Sequence, residues 1–204
     1  MFDQFRSAYQ VDPREPGADT HLWRPRGSDR INGFDQFAEE FTGASFNGGL
    51  YRFHDEHSAA LAATFINQTF PQYSERTLPF GYDWLGRHFL CDFRRVVHNE
   101  PQVLLIDPGA GEALEVPVNF TEFHDVELVV ESDAAVASSF HREWLSSQPS
   151  AVTPILRSQC AGYDVPLFLG GSDTADNLSL TDLEVYRDLS SQLWRMANAH
   201  DSSN

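Results

Sequence analysis

The side chains best suited to chemistry in this chain are histidines set beside carboxylates. His54-Asp55-Glu56-His57 has the form of a metal site, because histidines at i and i+3 on a helix can share an ion and zinc takes three or four ligands. The pair straddles the expected start of a helix, and no third ligand is signalled. The expectation is therefore a solvated acidic helix N-terminus, favoured by the helix dipole, with no metal and no other cofactor. Phe123-His124-Asp125 and Phe140-His141-Arg142 each set a histidine among aromatics. A general base of that kind needs an orienting group and a nearby nucleophile. His124 with Asp83 or Asp107, in a pocket around Trp84, would make the chain a small hydrolase or nucleotide-modifying enzyme. No Gly-x-Ser-x-Gly elbow occurs, and Cys160 has only Arg157 nearby to activate a thiolate. Core histidines and a buried cysteine are expected instead, and no catalytic residue is assigned.

The glycine-rich pieces read as turns. Asp107-Pro108-Gly109-Ala110-Gly111-Glu112 contains Gly-x-Gly but lacks the third glycine and the following helix that a phosphate cradle uses. Gly170-Gly171 is followed by Ser172-Asp173, whose carboxylate would repel phosphate.

These residues must be held by elements that the periodicity outlines. Phe2 to Tyr9 and Gly33 to Thr42 read as short helices, and each contains the tetrapeptide Phe-Asp-Gln-Phe; their flanks differ, so no structural repeat is expected. The arm between them, Val11 to Asn32, is rich in Pro, Gly, Asp and Arg. A short strand over Leu50 to Phe53 leads to Asp55, the expected N-cap of a helix from His57 to Thr69 that Pro71 stops. Strands follow at Phe80 to Trp84, His88 to Phe93, Val103 to Ile106 and Ala113 to Val118, separated by turn residues, as in an antiparallel meander. A helix from Asp133 to Leu145 is capped by Ser132. A terminal helix from Asp182 to Ala199 is capped by Thr181 or Ser179 and buries Leu183, Tyr186, Leu189, Leu193 and Met196. Between them, Cys160 to Gly171 reads as an apolar strand whose Pro166 confines it to an edge or a bulge, where a partner chain could dock. The fold class is α+β: an antiparallel central sheet flanked by several helices, including a long C-terminal one. Residues 1–77 form a mainly helical part and 78–204 a strand-rich part with the C-terminal helix, packed as one unit.

Composition narrows the function. The 204 residues include 14 basic and 30 acidic side chains, a formal charge of −16, and every basic residue is arginine. Such a surface excludes binding to nucleic acid or anionic lipid through clustered positive charge. With 41% hydrophobic residues the chain can bury a core, which excludes wholesale disorder. No apolar stretch reaches the length of a membrane span, Met1 to Gln10 lacks the apolar run of a secretory signal, and the two cysteines, Cys91 and Cys160, are expected as buried thiols. Together these point to the cytoplasm.

Five blocks in fixed order carry a family likeness: Phe80-Gly81-Tyr82-Asp83-Trp84-Leu85-Gly86, Asp107-Pro108-Gly109-Ala110-Gly111-Glu112, Phe120-Thr121-Glu122-Phe123-His124, Gly162-Tyr163-Asp164-Val165-Pro166-Leu167-Phe168-Leu169-Gly170-Gly171 and Asp182-Leu183-Glu184-Val185-Tyr186. From about residue 43 to the last helix the chain resembles the GAD-like/GAD-related domain family, which includes immunity proteins for type VI secretion DNase effectors. It departs from the family at Asp164, where members often carry Lys, and at Ser172 after the glycines. The resemblance implies a bacterial cytoplasmic immunity protein that binds and blocks a cognate toxin, commonly a nuclease. The charge agrees, because a nuclease presents a cationic surface to its substrate. On charge and loop position, the expected partner-binding residues are Asp164, Asp173 and Asp176, with Glu39, Glu40, Asp55 and Glu56. A binding protein is thus expected in preference to the His124 enzyme. The remaining alternative, an acidic DNA mimic, needs carboxylates evenly spaced along one face, whereas here they are spread along the chain.

Overall fold

The computed structural model describes residues 1–15, 21–149 and 152–201. Its first elements are α1 (Asp3–Ala8), α2 (Phe34–Phe41), β1 (Ser45–Phe46), β2 (Tyr51–Phe53), α3 (Glu56–Thr69) and α4 (Pro71–Ser74). The meander follows as β3 (Thr77–Asp83), β4 (His88–Val97), β5 (Glu100–Asp107) and β6 (Glu112–Asn119). All six strands form one antiparallel sheet in sequence order, and β2 pairs with β3 across residue 78. The chain is therefore α+β, with one sheet built from both sides of the expected boundary. No helix of the described residues is long and apolar enough to cross a membrane.

Register divides the sheet into two faces. Arg52, Tyr82, His88 and Ile106 are paired across neighbouring strands and so share one face; Phe53, Gly81, Phe89 and Leu105 share the other. On the second face α1 and α2 bring Phe2, Phe5, Phe34, Phe37 and Phe41 onto the sheet; Phe37 packs edge-to-face with Phe53 and Phe120 and tilted against His124, and Phe41 packs on Phe46. The Phe2/Phe5 and Phe34/Phe37/Phe41 spacings are what make both short helices amphipathic. On the first face α3 lays Phe65 and Ile66 against Leu90, Leu104 and Ile106.

Beyond β6 the chain turns through α5 (Phe120–Glu122), a π turn at Phe123–Glu127 and α6 (Leu128–Val130). Asn119 and Glu122 form a capping box there, and this helical stretch has no counterpart in the sequence reading. The helix expected over Asp133 to Leu145 is two, α7 (Ser132–Val136) and α8 (Ser138–Ser147), broken at Ala137 in the left-handed region with φ of 50°. The expected cap Ser132 instead pairs with Ser138, while Asp133 Oδ1 accepts from Ser139 N–H at 2.6 Å. A left-handed alanine costs about 1–2 kcal/mol, so Ala137→Gly is expected to raise stability by up to ~1 kcal/mol after the entropic penalty of glycine. Urea unfolding midpoints check this, and an unchanged or lower midpoint refutes it.

The last elements are β7 (Gln159–Tyr163), β8 (Leu178–Asp182), which pairs with β7 and was not anticipated, and α9 (Leu183–Asp201). The strand expected over Cys160 to Gly171 stops at Tyr163; Asp164 N–H then bonds to the Asn177 carbonyl and Pro166 leads into a 3-10 turn at Leu167–Leu169. Asp182, not Thr181 or Ser179, caps α9 by accepting from the N–H groups of Glu184 and Val185, both at 3.0 Å. The buried face of α9 also differs from the expected stripe. Leu183 and Tyr186 are buried, but Leu189 and Met196 are 53% and 63% exposed, and Arg187, Ser190 and Ser191 are buried instead. Glycine contacts fix this rotation: a Cβ on Gly162 would stand 2.6 Å from the Tyr186 ring and one on Gly111 2.5 Å from Trp194. Within the 11–32 arm, Val11 bridges to Phe46 and Trp23 is buried, and residues 16–20 lie outside the described residues.

Candidate functional site

The histidines take structural places. His124 is fully buried: its Nδ1 lies 2.8 Å from the Phe120 carbonyl, so Nδ1 carries the proton, and Nε2 accepts from the Tyr51 hydroxyl at 2.9 Å. Burial lowers its pKa to about 3. Neither carboxylate proposed for it makes a hydrogen bond with it. Asp83 holds the turn to Arg87, accepting from the N–H groups of Leu85 and Arg87 and ion-paired with the Arg87 guanidinium at 2.6 Å. Asp107 accepts from the N–H groups of Gly109 and Ala110. The His124–Asp arrangement of the enzyme reading is therefore not assembled. His141 packs on Trp84, with ring centroids 5.0 Å apart, and burial lowers its pKa to about 4. Cys91 and Cys160 are free, buried thiols, and burial pushes Cys160 up to about 12.

At the other histidine cluster, His54 is buried and stacks on both Tyr82 and His88, which also touch each other, with Nδ1 at 3.0 Å from Ser58 Oγ, whereas His57 is exposed. Asp55 forms a capping box with Ser58 and pairs with Arg157 at 3.2 Å. Among the described residues no group of three His, Cys, Asp or Glu side chains could hold a metal ion.

Four of the five sequence blocks meet in one packing node, while Phe120 and His124 of the remaining block pack with Phe2, Phe37 and Phe80. Trp84 C=O accepts from Ala161 N–H, Gly109 C=O accepts from Leu167 N–H, and the Tyr163 and Tyr186 side chains crowd Gly109, where a Cβ would stand 2.6 Å from the Tyr163 ring. Gly162 is the seat of Tyr186. Gly86, Gly109, Gly111 and Gly162 thus serve the joining of β7 and α9 to the sheet.

The expected partner-binding carboxylates divide four ways. Asp55 is 7% exposed and fully engaged, so it is corrected to a structural residue. Glu39 and Glu40 are on α2 and are neutralised locally by Arg24 at 2.7 Å and Arg6 at 2.6 Å. Glu56 is exposed at the start of α3. Asp164, Asp173 and Asp176 are brought together on the exposed loop 164–177, and none of them has an ion pair among the described residues. Ser179 donates to Asp164 at 3.0 Å and Tyr163 Oη to Asp173 at 2.5 Å. The loop is tied down by Asn177, whose amide donates to the Val165 and Ser172 carbonyls and accepts from Val165 N–H. It exposes Val165 (48%) and Leu169 (46%) beside the carboxylates. A fixed loop with apolar side chains rimmed by unpaired acids is suited to a cationic protein surface. The acidity continues through Asp182 at the end of β8 into α9 with Glu184 and Asp188; the sequence reading placed Asp182 and Glu184 in a family block and gave none of the three a partner role, although the only base between 164 and 188 is the buried Arg187.

No family model matches the chain, and no curated protein matches it. Among solved structures it is similar to the crystal structure of Atu4351 from Agrobacterium tumefaciens, with a TM-score of 0.64 and 14% identity over 94% of this chain and 89% of that one. At that identity the likeness is one of fold.

Proposed function

We propose that this protein is an immunity protein that acts in the bacterial cytoplasm. It binds a cognate toxin, a basic secreted nuclease, and blocks it by stoichiometric occlusion without contacting nucleic acid itself. The observation that carries this reading is the pinned loop 164–177, which presents Asp164, Asp173 and Asp176 unneutralised around Val165 and Leu169 in a chain of charge −16. The preformed loop lowers the ordering penalty of docking, and the carboxylates steer a cationic partner. The order of the five sequence blocks supports the same reading.

The test is binding to the product of the adjacent gene. A 1:1 complex that rescues cells from that product is expected. Neutralising the loop with Asp164→Asn, Asp173→Asn and Asp176→Asn together is expected to slow association by about 10-fold or more at low ionic strength, with the two proteins converging at high salt. No complex with the neighbouring product, or an association rate indifferent to both salt and the triple substitution, defeats the proposal.

A further inference from the structure

Two buried guanidiniums, Arg52 and Arg187, and the half-buried Arg157 gather near Tyr82 in this strongly acidic protein. Arg52 stands over the Tyr82 ring at 5.2 Å and donates to the Asp83 and Ile155 carbonyls at 3.1 Å each. Arg157 pairs with Asp55. Arg187 is 4% exposed, and among the described residues it has neither a hydrogen-bond acceptor nor an ion-pair partner; its Nε is fully buried and unsatisfied. Burial lowers its pKa from the ordinary arginine value. A buried guanidinium nitrogen without an acceptor is costly, and such an orphan in a native fold calls for an explanation.

Arg187 lines a half-open crevice of about 70 Å³ between α3 and α9. The opposite wall is α3, with Phe65 as an apolar floor and Thr64 and Gln68 as polar edges; on the α9 side Glu184 and Asp188 flank Arg187. At about 10–15 Å³ for each water-sized sphere, the space holds roughly five non-hydrogen atoms. Its charges are mixed in a definite way. A free phosphate would meet Arg187 but also two carboxylates, and a simple amine would meet the carboxylates but also a guanidinium. A molecule with an anionic oxygen pair and a cationic nitrogen a few bonds apart satisfies all three. The fork of arginine matches a carboxylate in bidentate fashion, and Thr64 Oγ1, which donates to the Ala60 carbonyl, keeps lone pairs for an ammonium.

We propose that the α3–α9 crevice binds a small zwitterionic amino acid, its carboxylate on Arg187 and its ammonium between Glu184 and Asp188. The open side of the crevice leaves room for a side chain to project outward past Gln68. This site is separate from the loop 164–177 and stands or falls independently of the toxin-binding reading.

The experiment is a thermal-shift and calorimetric titration of the full chain with glycine and alanine, against acetate, methylammonium and inorganic phosphate at the same concentration and pH 7.5. Glycine or alanine is expected to bind 1:1 and to raise Tm by about 3–5 °C at about ten times its Kd, with at least 10-fold weaker binding of acetate, methylammonium and phosphate. Arg187→Leu is expected to abolish binding. Because that variant changes a buried side chain, Glu184→Gln combined with Gln68→Ala, both at exposed positions, supplies the second arm and is expected to weaken binding 10-fold or more. Phosphate or acetate binding as well as glycine, amino-acid binding untouched by the exposed pair of substitutions, or no saturable binding of either amino acid would each overturn the proposal.

Discussion

Lowering the pH from 7 to 5 is expected to remove at least about 4 kcal/mol of stability, a large fraction of the folding free energy of an ordinary domain. The cause is the set of buried histidines His54, His88, His124 and His141. Burial holds the first two well below the ordinary histidine range, His124 at about 3 and His141 at about 4. Below the unfolded value of about 6.5 the unfolded chain takes up protons that the folded protein refuses, so stability falls as pH falls, by ~1.4 kcal/mol per unit for each histidine. For His141 the loss runs from 6.5 down to about 4, and for His124 down to about 3. Easing of the −16 self-repulsion works in the opposite direction, but only once carboxylates begin to protonate near pH 5 and below. Thermal melts between pH 7 and 5 should show a steep fall in Tm; a flat profile would contradict the buried neutral state. His88→Phe isolates one contribution, since both His88 ring nitrogens are unsatisfied. It is expected to reduce the slope by one histidine's share without lowering stability at pH 7.

Arg157→Ala is expected to destabilise the protein by about 3–5 kcal/mol, because it breaks a mostly buried ion pair and strands the acceptors around it. One guanidinium ties three segments together: Nη1 donates to the Ala44 carbonyl at 3.1 Å and the Phe53 carbonyl at 3.0 Å, and Nη2 to Asp55 and Ser58 at the head of α3. The Arg157 backbone adds its N–H to Glu15 at 2.6 Å and its carbonyl to Tyr82 Oη at 2.9 Å. Arg157→Lys should recover less than half of the loss, since a single ammonium cannot serve carbonyls and a carboxylate on diverging sides. Equilibrium urea unfolding measures both, and a loss under ~1 kcal/mol for the alanine variant would show that the hub is peripheral.

The elements read from periodicity are those whose pattern is local. The phenylalanine spacings gave α1 and α2, and the alternation between turn residues gave the meander. What the sequence concealed depends on distant partners. Ala137 breaks a helix that its neighbours would continue, and nothing in its residue type announces a left-handed backbone. The rotation of α9 is set by Gly109, Gly111 and Gly162, far away along the chain, so the stripe through Leu189 and Met196 looked inward although it faces solvent. Of the candidate site, the acids of loop 164–177 were legible as charge in a turn-rich stretch. Asp55 was not, because its partner Arg157 lies 102 residues on. His124 had the residue type of a base, and only its surroundings of Phe2, Phe37 and Phe120 assign it to the core.

The head of α1 is held by a residue from the middle of the chain: Phe5 N–H donates to Asp125 Oδ1 at 2.9 Å, and Tyr9 Oη donates to the Leu128 carbonyl at 2.9 Å. That placement sets an order on biosynthesis. At about 5–20 residues per second, roughly 6–24 s separate the emergence of α1 from that of its anchor. During that interval Phe2 and Phe5 are nascent and uncovered, while the meander strands can pair with their immediate neighbours as they appear. Residues of α1 are made long before their anchor, so the ribosome-bound chain offers Phe2 and Phe5 to chaperones until the π turn has been synthesised.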